Sequence, residues 1–333
     1  MRIAINGYGR IGRCIVRAIA ERRLERTLEV VAINDLTDLE MMAHLTRVDS
    51  THGPFHGRVE ARPGELVVDD RPIPVTAIKE PGDLPWRAQG VDLVLECAGK
   101  FKKKSALAGH LTAGASRVLA SHPVPDADRT VVYGVNHREL TAADRIVSNA
   151  SCTTNCLAPI AKILHEAIGI EQGIMTTIHA VTNDQQLLDK AHGDAYRARS
   201  AMQSIIPTHT GAAAAVGLVL PELAGKLSGM ALRVPVTNVS LVDLHFTARR
   251  DTSVAEINQL MRTAANGPWQ GILACNEQPL VSIDFNHHPA SSIFDCNHTA
   301  VAGRQAKVMS WYDNEWGFTN RMLDVALHLA ATN

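Results

Sequence analysis

Two cysteines and one histidine carry the clearest chemistry in the chain. In SNASCTTNC, residues 148–156, Cys152 and Cys156 stand four apart, and His179 follows in TTIHAVTND. A Cys-x3-Cys spacing is not a common zinc pair, and no second Cys or His pair lies nearby at a ligand spacing, so no metal is expected. A disulfide fits no better. Four apart on one helix, the two β-carbons would be ~5–6 Å apart, against the ~3.8 Å a bridge needs. Position separates the sulfurs. Cys156 shares an apolar stripe with Leu157 and Ile160 and reads as packing. Cys152 falls at the helix start after Ser151, where the helix field favours a thiolate. An activated thiol needs a base or cation beside it. His179 is the candidate, although a histidine in a strand of β-branched residues is more often core. The other histidines read as background, with His287 and His288 in FNHHP as loop surface.

A second constellation opens the chain. INGYGRIGR places Gly7-x-Gly9-x-x-Gly12 after the short apolar strand RIAIN and at the head of a helix. The first glycine permits the tight turn, the second lets backbone approach a pyrophosphate, and the third lets helix and strand pack closely. The helix N-terminus offers unpaired N–H groups to the phosphates. The next strand, LEVVAIND, ends in Asn34 and Asp35. A carboxylate at Asp35 would accept the adenosine ribose hydroxyls and repel a 2′-phosphate, so the expected cofactor is NAD rather than NADP.

The elements that must hold these groups can be read coarsely. With 333 residues, two domains are the starting expectation. Over residues 1–150, apolar strands alternate with helical segments, which implies an α/β domain with a doubly wound parallel sheet. After residue 150 the pattern changes. TTNCLAPIAKILHEAIGI reads as a long amphipathic helix, followed by the strand-like runs GIMTTIHAVT, MALRVPVTNVSLVDLHFTA, LVSIDFNH and QAKVMSWYD. Several alternate as antiparallel strands do. TSVAEINQLMRTAAN reads as a covering helix capped by Thr252 or Ser253, and NRMLDVALHLAA closes the chain as another. With 33 basic against 34 acidic residues and few aromatics, the chain offers no basic stripe or stacking platform for nucleic acid. No apolar run reaches the ~18–20 residues of a membrane span. The N-terminus lacks the charged start, apolar block and cleavage site of a leader, so the expected compartment is the cytoplasm.

INGYGRIGR, SNASCTTNCLAP, TTIHAVTNDQ, TGAAAAVGLVLPELAGKLSGMALRVPVTNVSLVDL and SWYDNEWGFTNRM occur in this order over nearly the whole chain. Together they resemble the phosphorylating glyceraldehyde-3-phosphate dehydrogenase family. The resemblance implies a Rossmann-type NAD-binding domain at 1–150 and a catalytic domain with a mostly antiparallel mixed sheet at 151–314. A C-terminal helix, 315–333, would pack back on the first domain. Cys152 would attack the substrate aldehyde, and His179 would keep it ionised and act as general base. Gly7, Gly9, Arg10, Ile11, Gly12, Asn34, Asp35, Ser121 and Asn314 would bind NAD. Thr182 and Arg233 would take the substrate phosphate; Ser151, Thr153, Arg197, Thr210 and Gly211 would take inorganic phosphate. The region 182–206 would reach a neighbouring subunit, implying a homotetramer.

Three features depart from the family pattern. His122 stands where alanine is common, a form familiar from the related erythrose-4-phosphate dehydrogenases. Ala98 stands where threonine is usual, and Lys102–Lys104 belong to a basic cluster that reads as a solvated helix start. For erythrose 4-phosphate stand His122, NDQQ at 183–186 and PLVSIDFNH at 279–287. Against it stand Thr182, Asn183 and the Thr210–Gly211 pair expected of an inorganic-phosphate site. Glyceraldehyde 3-phosphate is therefore the expected substrate.

Overall fold

The computed structural model describes residues 1–332. The chain divides into two compact units. The first comprises 1–131, 137–150 and the chain from Thr319 onward; the second comprises 132–136 and 151–318.

The first unit holds a nine-stranded sheet. Its strands are β1 (Arg2–Asn6), β2 (Glu29–Asn34), β3 (Val59–Arg62), β4 (Glu65–Val68), β5 (Arg71–Thr76), β6 (Leu93–Glu96), β7 (Arg117–Ala120), β8 (Arg129–Thr130) and β9 (Ile146–Ser148). They lie in the order β3-β4-β5-β2-β1-β6-β7-β9-β8. Every pairing is parallel except β3 with β4 and β4 with β5, which form an antiparallel edge. Helices α1 (Arg10–Glu21), α2 (Leu39–Arg47) and α3 (Lys104–Thr112) connect the strands. The strand order reverses between β1 and β6, and ligands of such sheets bind beyond the strand C-termini at that switch. Central strands such as β6 are buried throughout because helices cover both faces. Ile15, Ala18 and Ile19 of α1 are all buried, as their spacing requires.

The second unit is built on a mixed sheet. Its strands are β10 (Ile170–Ala180), β11 (Ile206–His209), β12 (Leu227–Val234), β13 (Ser240–Ala248), β14 (Leu273–Asn276), β15 (Ser292–Asp295), β16 (Ala300–Ala302) and β17 (Gln305–Tyr312). The order is β11-β12-β10-β13-β17-β15-β14, with β16 on β17, and only β10–β12 and β14–β15 are parallel. Helix α4 (Cys152–Ile168) is held against this sheet, its Cys156 sulfur 3.7 Å from Ser310 O. Helices α5 (Ala212–Val219) and α6 (Val254–Ala265) follow, and Ser253 caps α6 by accepting from Glu256 N. The last helix is α7 (Trp316–Ala331).

Two strand expectations fail. MALRVPVTNVSLVDLHFTA is two strands, broken at 235–239 where Pro235 has no N–H for a ladder and Val239 takes a φ of 67°. LVSIDFNH forms no strand: Asp284 accepts from Val281 N at 2.8 Å and closes a 3-10 turn over Ser282–Phe285. Nor are His287 and His288 loop surface. His287 stacks on Trp316 with ring centroids 3.7 Å apart, and burial lowers the pKa of His288.

Candidate active site

Cys152 owes its position to a cap. Ser151 has extended backbone, and its Oγ accepts from Thr154 N at 3.0 Å. That hydrogen bond satisfies an amide the helix cannot, so the helix starts at Cys152. His179 owes its position to period-two alternation. Met175, Thr177 and His179 of β10 are buried together while Ile174 is exposed. The two elements bring Cys152 Sγ to 3.5 Å from His179 Nε2. Cys156 is fully buried between Ser292 and Ser310, and burial pushes its thiol up to about 12.

Sheet register assembles the rest. Parallel pairing sets Arg233 of β12 beside His179. Arg233 Nη1 reaches His179 Nδ1 and also donates to Ala180 O at 3.0 Å, while Nδ1 lies 2.7 Å from that same carbonyl. On the other side, Ser240 pairs with Tyr312 of β17. The Tyr312 hydroxyl lies 2.8 Å from both Thr153 Oγ1 and Thr177 Oγ1, and its ring meets His179 edge-on at 5.9 Å. One hydroxyl thus joins the first turn of α4 to β10, the two elements that carry Cys152 and His179. The sequence contains Tyr312 within WYDNEWG, but nothing local to that segment marks it as a partner of Thr153.

The electrostatics differ from the expectation of a simple helix-start thiolate. Crowding by protein raises the Cys152 thiol above its ordinary value, and Arg233 and Thr153 oppose that rise without cancelling it. Burial pushes His179 down to about 3, and Arg233 adds to the fall. The helix field is real, but desolvation of a buried ion is the larger effect. Arg233 treats the pair unequally: it favours a charged sulfur and disfavours a charged imidazole.

The candidate phosphate residues fall into two groups. Arg197 and Arg233 both act on His179, so both lie at its end of the sheet. Arg233 Nε is buried without an acceptor, which an anion would supply. Arg197 donates to Thr208 Oγ1 at 3.0 Å and pairs with Asp184 at 2.5 Å. Thr182 donates to Gln185 Oε1 at 3.1 Å. Gly211 is exposed and opens α5 with no side-chain cap, beside Thr210, whose hydroxyl accepts from Ala212 N. Ser151 and Thr153, by contrast, spend their hydroxyls on the cap and on Tyr312. Asp184 and Gln185 lie in NDQQ, but neither their pairing with Arg197 and Thr182 nor the part of Thr208 is legible in the sequence, since only the folded 182–208 segment brings these residues together.

In the first unit the glycine turn has the shape a dinucleotide requires. A Cβ on Gly7 (φ 93°) would lie 2.3 Å from Ala98 N, and one on Gly12 would lie 2.3 Å from Gly7 O. A Cβ on Gly9 would meet nothing within 4 Å. Helix α1 starts at Arg10 and runs on through Ile11, with no side-chain cap and no acid in its first turn, so the positive end of its dipole faces an anion without a competing carboxylate. Arg10 pairs with Asp49. Asp35 Oδ2 accepts from Tyr8 N at 2.5 Å and Oδ1 from Thr37 N at 2.8 Å. Asn34 O accepts from Gly7 N at 2.8 Å, and Ser121 N donates to Glu96 O at 2.9 Å. These residues fit NAD. In the second unit, Asn314 Oδ1 accepts from Ser240 Oγ at 2.8 Å, which orients its amide. Of the departures, His122 Nε2 lies 3.0 Å from Phe101 O, and Lys104 is paired with Asp128 rather than freely solvated.

Residues 1–104 match the family model "Glyceraldehyde 3-phosphate dehydrogenase, NAD binding domain", and residues 151–314 match "Glyceraldehyde 3-phosphate dehydrogenase, C-terminal domain". The chain is 61% identical to a glyceraldehyde-3-phosphate dehydrogenase of Pseudomonas aeruginosa, over 99% of this chain and 98% of that protein. It is 57% identical to one of Cereibacter sphaeroides, over 98% of each. It is 52% identical to one of Zymomonas mobilis, over 100% of this chain and 99% of that protein.

Proposed function

Because the chain belongs to the glyceraldehyde-3-phosphate dehydrogenase family, we propose that it converts D-glyceraldehyde 3-phosphate to 1,3-bisphosphoglycerate through Cys152, with NAD as oxidant. The observation that carries the chemistry is the 3.5 Å approach of Cys152 Sγ to His179 Nε2, with Arg233 on the far side of the imidazole. Erythrose 4-phosphate, raised by His122, is not favoured by the relatives at 50–61% identity, all named for glyceraldehyde 3-phosphate.

Sγ adds to the aldehyde carbon as its proton passes to Nε2, and Nε2 returns that proton to the oxygen, giving a hemithioacetal. Nε2 then takes the hydroxyl proton back as the carbon is oxidised to a thioester. NAD, when bound at the glycine turn, supplies the hydride acceptor for that step. Inorganic phosphate attacks the thioester carbon, the carbon–sulfur bond breaks, and His179 returns a proton to the departing sulfur.

Arg233 has two duties in this scheme. In the free chain it holds His179 Nδ1 and disfavours an imidazolium. A substrate phosphate supplies the acceptor its Nε lacks and draws the guanidinium charge away. Nδ1 is then free to donate to Ala180 O, which leaves Nε2 as the acceptor facing sulfur. Arg197, Thr210 and Gly211 receive the attacking phosphate, and Thr182 assists Arg233. Ser151 and Thr153 serve by fixing the helix start and the Tyr312 bridge, and they reach phosphate only by exchanging those partners.

The chain works as a homotetramer in the cytoplasm. Leu187, Leu188, Tyr196 and Ile205 of the 182–206 segment are exposed, which supports burial against a neighbouring subunit. The six cysteines are all free thiols, which suits a reducing compartment. NADH formation by the purified protein tests the activity: turnover should require both glyceraldehyde 3-phosphate and inorganic phosphate. Phosphate-independent turnover preferring erythrose 4-phosphate would overturn the reading.

A further inference from the structure

Behind the glycine turn the first unit buries an acid that the chemistry above does not use. Glu96, at the C-terminal end of β6, has no exposed surface, and neither have His110 of α3 and Trp86. Glu96 Oε1 accepts from Ala98 N at 2.7 Å. Its Oε2 accepts from Asn6 Nδ2 at 2.5 Å and lies 3.0 Å from His110 Nε2.

The protons in this cluster can be placed. Trp86 Nε1 is 3.0 Å from His110 Nδ1. An indole nitrogen can only donate, so Nδ1 must accept and carries no proton. The His110 proton therefore sits on Nε2 and points at Glu96. Both carboxylate oxygens then receive donors only, from Ala98 N on one and from Asn6 and His110 on the other. That is the pattern of an ionised carboxylate whose neighbours are all neutral.

The cluster ends at the cofactor turn. Ala98 N, which Glu96 grips, is the atom that a Cβ on Gly7 would strike at 2.3 Å. Asn6, the other residue held by Glu96, immediately precedes Gly7, and Asn6 O accepts from Cys97 N at 2.7 Å. Asn6 Oδ1 accepts from Asn34 Nδ2 at 2.7 Å, and Asn34 Oδ1 accepts from Thr76 Oγ1 and Ile78 N, each at 2.9 Å. One carboxylate thus sets the spacing of β1 and β6 at the switch point and, through Asn6 and Asn34, that of β2.

We propose that Glu96 is a positioning residue for dinucleotide binding, and that Trp86 acts through the His110 tautomer to keep its carboxylate facing Ala98 N and Asn6. This rests on the reading that the unit binds NAD. Glu96→Gln preserves volume but turns one acceptor into a donor, which must face either Ala98 N or the Asn6 and His110 protons. Trp86→Phe leaves Nδ1 free to take the proton and unlocks the tautomer.

The test is isothermal titration of NAD into native protein and both variants, with melting temperatures and steady-state kinetics alongside. Glu96→Gln should raise the NAD Kd at least tenfold and the NAD KM in parallel. Its kcat at saturating NAD, and its KM for the aldehyde, should stay within twofold. Trp86→Phe should raise the Kd threefold or more with the same split. A folded Glu96→Gln whose NAD Kd is within twofold of native overturns the inference, as does one whose kcat falls as much as its affinity. If Glu96→Gln does not fold, Trp86→Phe decides on the same criteria. Native protein that binds no NAD overturns the cofactor reading itself, a result distinct from native and variants binding equally.

Discussion

Arg233 reaches Nδ1 of His179, so the imidazole is held between a guanidinium on one nitrogen and the Cys152 sulfur, 3.5 Å away, on the other. The guanidinium cannot give up its proton. It acts both as a fixed positive charge near the thiol and as a brake on charging the imidazole.

Removing that charge should move the two groups in the same direction. In Arg233→Gln the His179 pKa rises from about 3, and the Cys152 thiol rises further, because Arg233 lowers both. The pH profile of Cys152 alkylation should shift to higher pH. kcat/KM for the aldehyde phosphate should fall by about 10–100-fold, the size of one lost charge-assisted hydrogen bond. An unshifted alkylation profile would show that Arg233 does not set the thiol.

The two cysteines should separate cleanly. Cys152→Ser removes the nucleophile and should cost about 10⁴-fold or more in kcat. Cys156→Ser replaces a packed sulfur between Ser292 and Ser310. It should cost about 1–2 kcal/mol of stability, read by denaturant titration, and leave most activity. Equal activity losses would contradict this division.

Tyr312→Phe keeps the ring against His179 but removes the hydroxyl shared by Thr153 and Thr177. Two buried hydroxyls lose a partner, at a cost of about 1–3 kcal/mol. kcat should fall more than KM rises, since the Cys152–His179 approach loosens while Arg197, Thr210, Gly211 and Arg233 keep their places. A melting curve with kinetics on the same preparation checks both.

Asp35→Ala should weaken NAD binding and relax discrimination against NADP. The carboxylate accepts from Tyr8 N within the glycine turn as well as offering charge to a ribose. Titration of the variant with both cofactors should show NAD affinity falling while NADP affinity is held or improved. A preserved preference would place the discrimination elsewhere.

Acid should loosen the first unit. Burial alone would raise the Asp49 carboxyl, but hydrogen bonds from Arg10, His52 and Thr51 bring it well below the usual range. Asp35 is likewise lowered, its Thr37 and Tyr8 hydrogen bonds outweighing burial. A depressed carboxyl contributes stability that is fully present above its unfolded value, ~3.9. That stability is lost as pH falls through the folded value. The melting temperature should therefore decline from about pH 4 downward, and Arg10→Ala should flatten that decline.

What could be read from the sequence was local. Gly7-x-Gly9-x-x-Gly12 between a strand and a helix is recognisable because every steric demand it meets arises within a few residues or at the neighbouring strand end. Cys152 is recognisable for the same reason, since a Ser cap and an apolar stripe together fix where its helix begins. LVSIDFNH shows the limit of such reading: its apolar residues suit a strand, yet Asp284 captures the Val281 amide and turns the chain instead.

By itself the sequence determined which residues carry chemistry and which face of each element is apolar, because side-chain type and period are properties of neighbours along the chain. Only the tertiary structure decided their electrical state and their company. Burial, which no helix-start argument contains, raises the Cys152 thiol and suppresses the His179 charge. Strand register sets His179 beside Arg233, 54 residues away, and the packing of α4 on the sheet brings Thr153 to Tyr312, 159 residues away. Desolvation and register depend on what the chain meets across a sheet or a core, so neither is written in any single stretch of it.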